Sequence, residues 1–349
     1  MPAIPRPDPP AQARCGDLIA RLADEAEAAV ASVLPRGSRC ALVGFPNHDN
    51  AGDSAIWIGE KALLERLGAS VVYACDVRTY SRESLARALG DGVILLHGGG
   101  NFGDLWERQQ QLRERVLEDF RRVPVIQLAQ SIHFAKASSF ARCRAIVRRH
   151  GDVTVLAREL QSLARARTLG ATAVPCPDLA FMLGPLDVRE TPLAPIVWLA
   201  RTDRESLFPN ECRSEPGTIT LDWIRPVENE PAWPPVAREA LTLIQALTRQ
   251  IEEQPEAEPE SGQLLAAYDL VAAQRLERGC RILSRGRVVV TDRLHGHILA
   301  LLLGLPNVVM DNSYGKIRSV YQSWTRPCPL GVWAESPNEA LAAARRLLR

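Results

Sequence analysis

The chain has 349 residues, with 42 cations against 41 carboxylates, and is 46% hydrophobic and 24% charged. That length exceeds one ordinary core and suits two domains. So even a balance excludes attachment to nucleic acid or to an anionic membrane by bulk charge, leaving only local patches. All but Lys61, Lys136 and Lys316 of the cations are arginines, so no single arginine carries functional weight by itself.

Residues 1–14 are Pro-rich and lack an apolar stretch, so they read as a flexible tail and not as a signal peptide. With a leading helix they fill 1–38. A strand is expected over 39–45 (RCALVGF), then a polar loop and a helix over 54–67. Strands follow at 71–74 and 92–97, the second ending in the loop 98–104 before a helix through Arg121. Further strands are expected at 123–128 and 153–156. Uniformly apolar strands alternating with helices predict a parallel sheet covered on both faces, which makes 39–184 a first domain. After a Pro-rich passage around 185–195 the alternation restarts. It gives a strand at 196–200, a helix over 238–253, an acidic loop at 254–261, a helix over 263–284, a strand at 287–291, a helix over 295–303 and a strand at 307–311. The second domain is thus 195–335, with a terminal helix over 336–349. The fold class is α/β, two doubly wound domains facing a cleft. The longest apolar run, 298–305, is far short of the roughly 20 residues needed to cross a bilayer. The eight cysteines are scattered, with no C-x-x-C pair, which supports neither a disulfide framework nor a zinc site and places the chain in the cytoplasm.

In such sheets ligands sit beyond the carboxyl ends of the strands, where helix N-termini point their free N–H groups. Three loops fall there. The first holds Asn47, His48, Asp49, Asn50, Gly52, Asp53 and Ser54. It reads either as a turn capped by Asp53 or Ser54, or as a site for sugar hydroxyls or a phosphate with Asp53 as general base. In the second, His97 precedes Gly98, Gly99, Gly100 and Asn101. Three consecutive glycines cost backbone entropy that a plain connection does not require, so a ligand or a close neighbour is expected against their amides. The run is neither a Walker A loop nor the spaced dinucleotide fingerprint.

The third loop, Thr291-Asp292-Arg293-Leu294-His295-Gly296-His297, sets a fixed cation and two titratable rings beside a helix N-terminus. That suits an anionic substrate with a proton to be given or taken. Asp292 is expected to orient an imidazole or to buttress Arg293; the bland alternative is a buried Asp–Arg pair with capping histidines. Two histidines at i, i+2 without a third ligand do not make a metal site.

Residues 47–54 followed by AIWIGEKALLERLG at 55–68, HGGGNFGDLW at 97–106, DRLHGHILALLLGLP at 292–306 and DNSYGKIRSVYQSW at 311–324 resemble the polysaccharide pyruvyltransferase family. The likeness runs from about residue 40 to 325. It implies a GT-B-like fold of two Rossmann-type domains with the site between them. It implies transfer of the pyruvyl group of phosphoenolpyruvate to two sugar hydroxyls of an exopolysaccharide precursor, giving a cyclic ketal and phosphate, with no cofactor and no metal. Carried over by motif, Arg293, His295 and the Leu294 amide meet the donor, His295 as general acid. Arg158, at the start of a mid-chain helix, matches a further family arginine. Arg201 and Lys316 are the remaining donor candidates, Gly99, Gly100 and Asn101 line the donor side, and Asn47, His48 and Asn50 are placed at the acceptor. The acceptor is expected to be a sugar, and a lipid-linked oligosaccharide would bring the enzyme to the inner face of the membrane. Two rivals stay open: a GT-B glycosyltransferase using a nucleotide sugar, with Asp311 on the ribose, and a non-catalytic subunit of a polysaccharide assembly complex.

Overall fold

The computed structural model describes residues 9–188, 190–208, 215–254 and 261–349. Two wholly parallel sheets carry the fold. The first contains β1 (Arg39–Val43), β2 (Ser70–Cys75), β3 (Val93–Leu96), β4 (Gly99–Phe102), β5 (Val125–Ile132), β6 (Val153–Ala157) and β7 (Thr172–Pro175). Its order is β2-β1-β3-β5-β6-β7, with β4 beside β5. The second contains β8 (Ala194–Leu199), β9 (Thr218–Leu221), β10 (Gly286–Thr291), β11 (Asn307–Val309) and β12 (Gly331–Trp333), in the order β12-β11-β10-β8-β9.

Apolar side chains on both faces of these strands need two helical layers. Over one face of the first sheet lie α3 (Arg82–Leu89), α4 (Glu107–Asp119), α5 (Ala137–His150) and α6 (Leu160–Leu169), whose Leu85, Leu117, Val147 and Ala166 join one core with Val43 and Ile94. Over the other lie α2 (Ala51–Arg66) and α1 (Pro9–Ala31). There too are α7 (Pro235–Glu253) and α8 (Ser261–Ser284), which follow β8 in the chain but pack across onto the first sheet. Ile244, Tyr268 and Val271 share a core with Leu42, Ala74 and Leu95, and the buried Trp57 indole donates to Asp269 Oδ1 at 2.8 Å, tying α2 to α8. The second sheet is flanked by α9 (Leu294–Leu302), by the short α10 (Lys316–Val320) and by α11 (Pro337–Leu347).

The strand orders explain where a ligand goes. In the first sheet the chain leaves β1 for β2 on one side and then β3 on the other, so the crevice opens between the ends of β1 and β3. In the second it reverses between β8 and β10. The segments leaving these four strands begin at residues 44, 97, 200 and 292, and they converge on one cavity.

Two sequence expectations need revision, and a third falls outside the described residues. The helix after β1 starts at Ala51, and its N-cap is Asn50, whose side chain accepts the Gly52 N–H at 3.1 Å; Asp53 and Ser54 lie inside the first turn. Residues 98–104 are not all loop, because Gly99–Phe102 pairs with β5. The acidic stretch at 254–261 falls mostly on residues 255–260, outside the described residues, as does Cys212. Among the described residues no helix is long and apolar enough to cross a membrane.

Candidate active site

The cavity has a volume of 460 Å³ and is walled from both sheets. From the first come His48, Asp49, Asn50, Asp53, Gly100, Asn101 and Arg158; from the second come Arg201, Arg293, Leu294, His295 and Lys316. The three sequence-selected loops and the separate arginines are thus brought together. The volume lies within the usual range for small-molecule sites.

Each cation is pinned by a carboxylate. Arg158, at the end of β6, is fully buried; its Nη1 lies 2.5 Å from Asp178 Oδ2, and Ser131 Oγ accepts its Nε and Nη2 at 3.2 and 3.0 Å. Arg201 Nε meets Asp203 Oδ1 at 2.7 Å and its Nη1 meets Glu205 Oε2 at 3.0 Å. Lys316 Nζ donates to the same Glu205 Oε2 at 2.5 Å. Arg293 Nη2 sits 2.8 Å from Asp222 Oδ1, with its guanidinium 5.7 Å from the Trp223 ring centroid. These pairings fix the donors in advance of any ligand, so little reorganisation remains when an anion arrives.

His295 lines the cavity and is held by a carboxylate. Its Nε2 lies 3.1 Å from Asp178 Oδ2, the oxygen that also holds Arg158. The expectation that Asp292 orients this ring is therefore corrected. Strand β10 ends at Thr291 and the helix begins at Leu294, and Asp292 Oδ1 accepts the backbone N–H of Arg201 at 2.8 Å. Burial pushes the Asp178 carboxyl up, but His295 and Arg158 outweigh it and hold the group well below the usual carboxylate range. His297 does not reach the cavity. It is buried between Asn307 Oδ1 at 2.6 Å and Thr325 Oγ1 at 2.8 Å, and burial pushes its pKa down to about 4.

Gly52 makes the His295 position possible. A Cβ built on it falls 2.4 Å from His295 Cβ and 2.6 Å from Nδ1, closer than packed carbon atoms approach. Gly100 keeps the backbone close to the cation tips, a Cβ there falling 2.9 Å from Lys316 Nζ and 3.4 Å from Arg158 Nη2, a milder contact than at Gly52. The Gly52→Ala variant is expected to fold but to lose turnover by on the order of 10²-fold, because the imidazole must shift by most of an ångström. Activity within a few-fold of wild type in that variant would show that the ring position is not critical.

The first loop divides. Asp53 Oδ2 accepts from Asn50 Nδ2 at 2.8 Å and lies 3.5 Å from His48 Nε2. Burial raises the Asp53 carboxyl, while His48, His295, His97 and Lys316 together lower it further, so the net shift is downward and the group is ionised at neutral pH. Asn47 is not a cavity residue: its amide donates to Asp76 Oδ2 at 2.9 Å, within the turn after β2. The glycine loop is held from behind. Glu60, fully buried, takes His97 Nδ1 at 2.8 Å and the Gly98 N–H at 2.7 Å. Gly100 and Asn101 line the cavity whereas Gly99 lies behind it, its backbone facing Asp53 and Gln130. The Asn101 side chain is locked, its Oδ1 accepting from Arg113 at 2.9 Å and Gln130 at 2.7 Å.

Residue-by-residue reading missed Asp178, Asp203, Glu205 and Asp222, along with the wall residues Trp106 and Gln109. Asp178 carried one local signal, as the acid before an apolar stretch just after β7: it caps the short 3₁₀ helix Leu179–Leu183, accepting the Ala180 N–H at 2.9 Å. Asp311, the ribose reader that the nucleotide-sugar alternative requires, does not line the cavity and is engaged by Arg318, whose Nε lies 3.4 Å from its Oδ2.

The family model for polysaccharide pyruvyl transferases matches residues 50–314 of the chain. The chain belongs to the polysaccharide pyruvyl transferase family. Membership identifies it as a pyruvyl transferase, and the match takes in the second and third cavity loops and the first from Asn50 onward. It is 32% identical over 330 residues to pyruvyl transferase 1 of Schizosaccharomyces pombe, covering 87% of this chain and 75% of that protein. To EpsO of Bacillus subtilis it is 27% identical over 301 residues, covering 85% and 88%. A solved structure of an uncharacterized Klebsiella pneumoniae protein superposes with a TM-score of 0.56 at 18% identity, over 86% of this chain and 94% of that one. At that identity the likeness speaks for the fold alone, α/β with parallel sheets.

Proposed function

We propose that this pyruvyl transferase takes its pyruvyl group from phosphoenolpyruvate and sets it as a cyclic ketal on two hydroxyls of one sugar in an exopolysaccharide precursor, releasing phosphate. The observation that carries the reading is the clustering of Arg158, Arg201, Arg293 and Lys316 around a carboxylate-held imidazole. A donor with a phosphate and a carboxylate needs two separate cationic subsites, and arginine forks supply them. The two-sheet layout with a shared cavity supports a GT-B-like arrangement.

The steps balance without a cofactor. His295 gives a proton to C3 of the donor, so C2 becomes cationic while Asp178 steadies the ring. One sugar hydroxyl bonds to C2 and passes its proton to Asp53, which lies with His48 and Asn50 at the acceptor end. The C2–oxygen bond to phosphate then breaks, the second hydroxyl closes the ring and its proton leaves with the phosphate, and the proton held by Asp53 passes through solvent back to His295, which restores both groups. Positioned acid and base groups of this kind contribute about 10²–10⁴-fold. A lipid-linked oligosaccharide at the inner face of the membrane is the acceptor form we favour.

The deciding experiment measures phosphate release from phosphoenolpyruvate with and without lipid-linked acceptors or simple sugar glycosides. Acceptor-dependent release with pyruvate recovered in the product supports the reading. Absence of release, with thermal stabilisation by nucleotide sugars instead of phosphoenolpyruvate, would transfer the assignment to a glycosyltransferase.

Donor binding should also depend on pH through Lys316. Burial lowers its pKa to about 8, with Glu205 pulling it up and Arg201 and Arg158 pushing it down. The ammonium is charged below that value and neutral above it, so phosphoenolpyruvate affinity is expected to fall as pH rises through about 8. Lys316→Arg, charged throughout, should flatten the profile. A wild-type Kd that is constant across this interval would remove Lys316 from the donor site.

A further inference from the structure

The outer helical layer of the first sheet carries a charge pattern that the transfer reaction does not use. Helices α5 and α6 pack side by side and hold six arginines (Arg142, Arg144, Arg148, Arg149, Arg165 and Arg167) with no Asp or Glu between them. In a chain of net charge +1 this is a local excess. Arg142, Arg148, Arg149 and Arg167 are exposed, as is Lys136 at the start of α5. The nearby carboxylates are few: Glu114 pairs with Arg142 at 3.0 Å, while Glu118 on α4 and Asp152 after α5 stand at the margins. Arg165 turns inward, donating to the Ile132 carbonyl.

A second feature of the same layer points to the nature of the partner. Leu160, the first residue of α6, is 71% exposed, more than the other large hydrophobic side chains left on the surface among the described residues. Leu160 opens α6, while Arg148, Arg149 and Arg167 stand in the last turns of α5 and α6, so one helical face carries an apolar residue at one edge and arginines along its length, which an anionic lipid surface accommodates at its headgroups and just below them. Nucleic acid fits less well, because single strands are held by exposed aromatic rings. The aromatic residue on these two helices, Phe140, is half-buried and packs edge-on against Phe134, which packs in turn on Phe102.

We propose that the α5–α6 face, with Leu160 at its edge, docks this protein on an anionic lipid bilayer. Leu160 lies two residues beyond Arg158, which reaches into the cavity from the end of β6. Docking would lay this helical layer flat on the headgroups, with the cavity opening at the Leu160 edge of the layer and the last-turn arginines at its far edge. The surface stands apart from the identity of the donor and can be tested without turnover.

The test uses the full chain in vesicle flotation, with phosphatidylcholine alone or doped with phosphatidylglycerol. Binding should rise with phosphatidylglycerol and be lost in high salt, since exposed charges are screened over about 10 Å at 0.1 M. The Arg148→Glu, Arg149→Glu, Arg167→Glu triple variant should bind at least about tenfold more weakly. Its turnover of a soluble sugar glycoside should equal wild type, which separates this proposal from the function above. The milder Gln triple variant repeats the comparison should the Glu variant misfold, and Leu160→Asp should weaken binding further. Wild type without preference for phosphatidylglycerol, or a folded triple variant that floats as wild type does, would overturn the proposal. Retention by an RNA or DNA oligomer but not by vesicles would overturn it too and reassign the face.

Discussion

His295→Ala is expected to stop turnover while phosphoenolpyruvate still binds, weakened but measurable. The ring is the titratable group of the cavity that a carboxylate from the opposite sheet orients, at 3.1 Å from Asp178 Oδ2. Removing a positioned acid costs on the order of 10²–10⁴ in rate. The four paired cations that we assign to the donor stay in place, so most of the attraction for the ligand survives. A single-turnover measurement alongside a binding isotherm reads the two effects apart. Wild-type-like turnover in this variant would remove His295 from the acid role.

The second large effect is expected for Asp178→Asn. One oxygen of this carboxylate serves two groups, Arg158 at 2.5 Å and His295 at 3.1 Å. Asparagine keeps an acceptor but removes the charge, leaving a fully buried guanidinium without its counter-ion. Turnover should fall on the order of 10²–10³-fold, and the donor KM should rise with it, since an acid and a donor-binding arginine loosen together. His295→Ala should instead act chiefly on kcat. Circular dichroism and a melting curve establish that the variant is folded. A folded Asp178→Asn enzyme with kcat and KM near wild type would mean that the shared oxygen is not needed for positioning.

Much of this was legible in the sequence, for definite reasons. Uniformly apolar strands separated by helices announce parallel sheets, and they set the strand ends at which Asn50, Gly100, Arg201 and His295 emerge. The glycines were visible because an unbranched backbone in a strand-end loop needs a cause. The acids were not. Asp203 and Glu205 sit in RTDRE, which reads as a solvated loop, and only the fold turns them onto Arg201 and Lys316. Asp178 lies 117 positions from His295, so nothing local links them. Asp292 was expected to orient an imidazole or to buttress Arg293, its neighbour in the same loop. Strand periodicity lapses after Thr291, and its carboxylate turns to the Arg201 amide. Asn47 failed likewise, as a neighbour in sequence that the turn with Asp76 holds away from the cavity.

The pairing of every cavity cation with a carboxylate bears on how products leave. An ion with a single anionic group, such as phosphate, meets guanidinium forks already occupied by Asp178, Asp203, Glu205 or Asp222 and gains little by joining them. A ligand that ties two anionic groups together gains from both ends for one loss of translational freedom, as any chelator does. On our reading the substrate has both groups and each product keeps one, the ketal its carboxylate and phosphate itself. Cleavage would cut the chelate in two and lower the hold on both halves. Inorganic phosphate should then inhibit only at concentrations far above the KM for phosphoenolpyruvate, and inhibition near that KM would show that one cationic pocket does the holding alone.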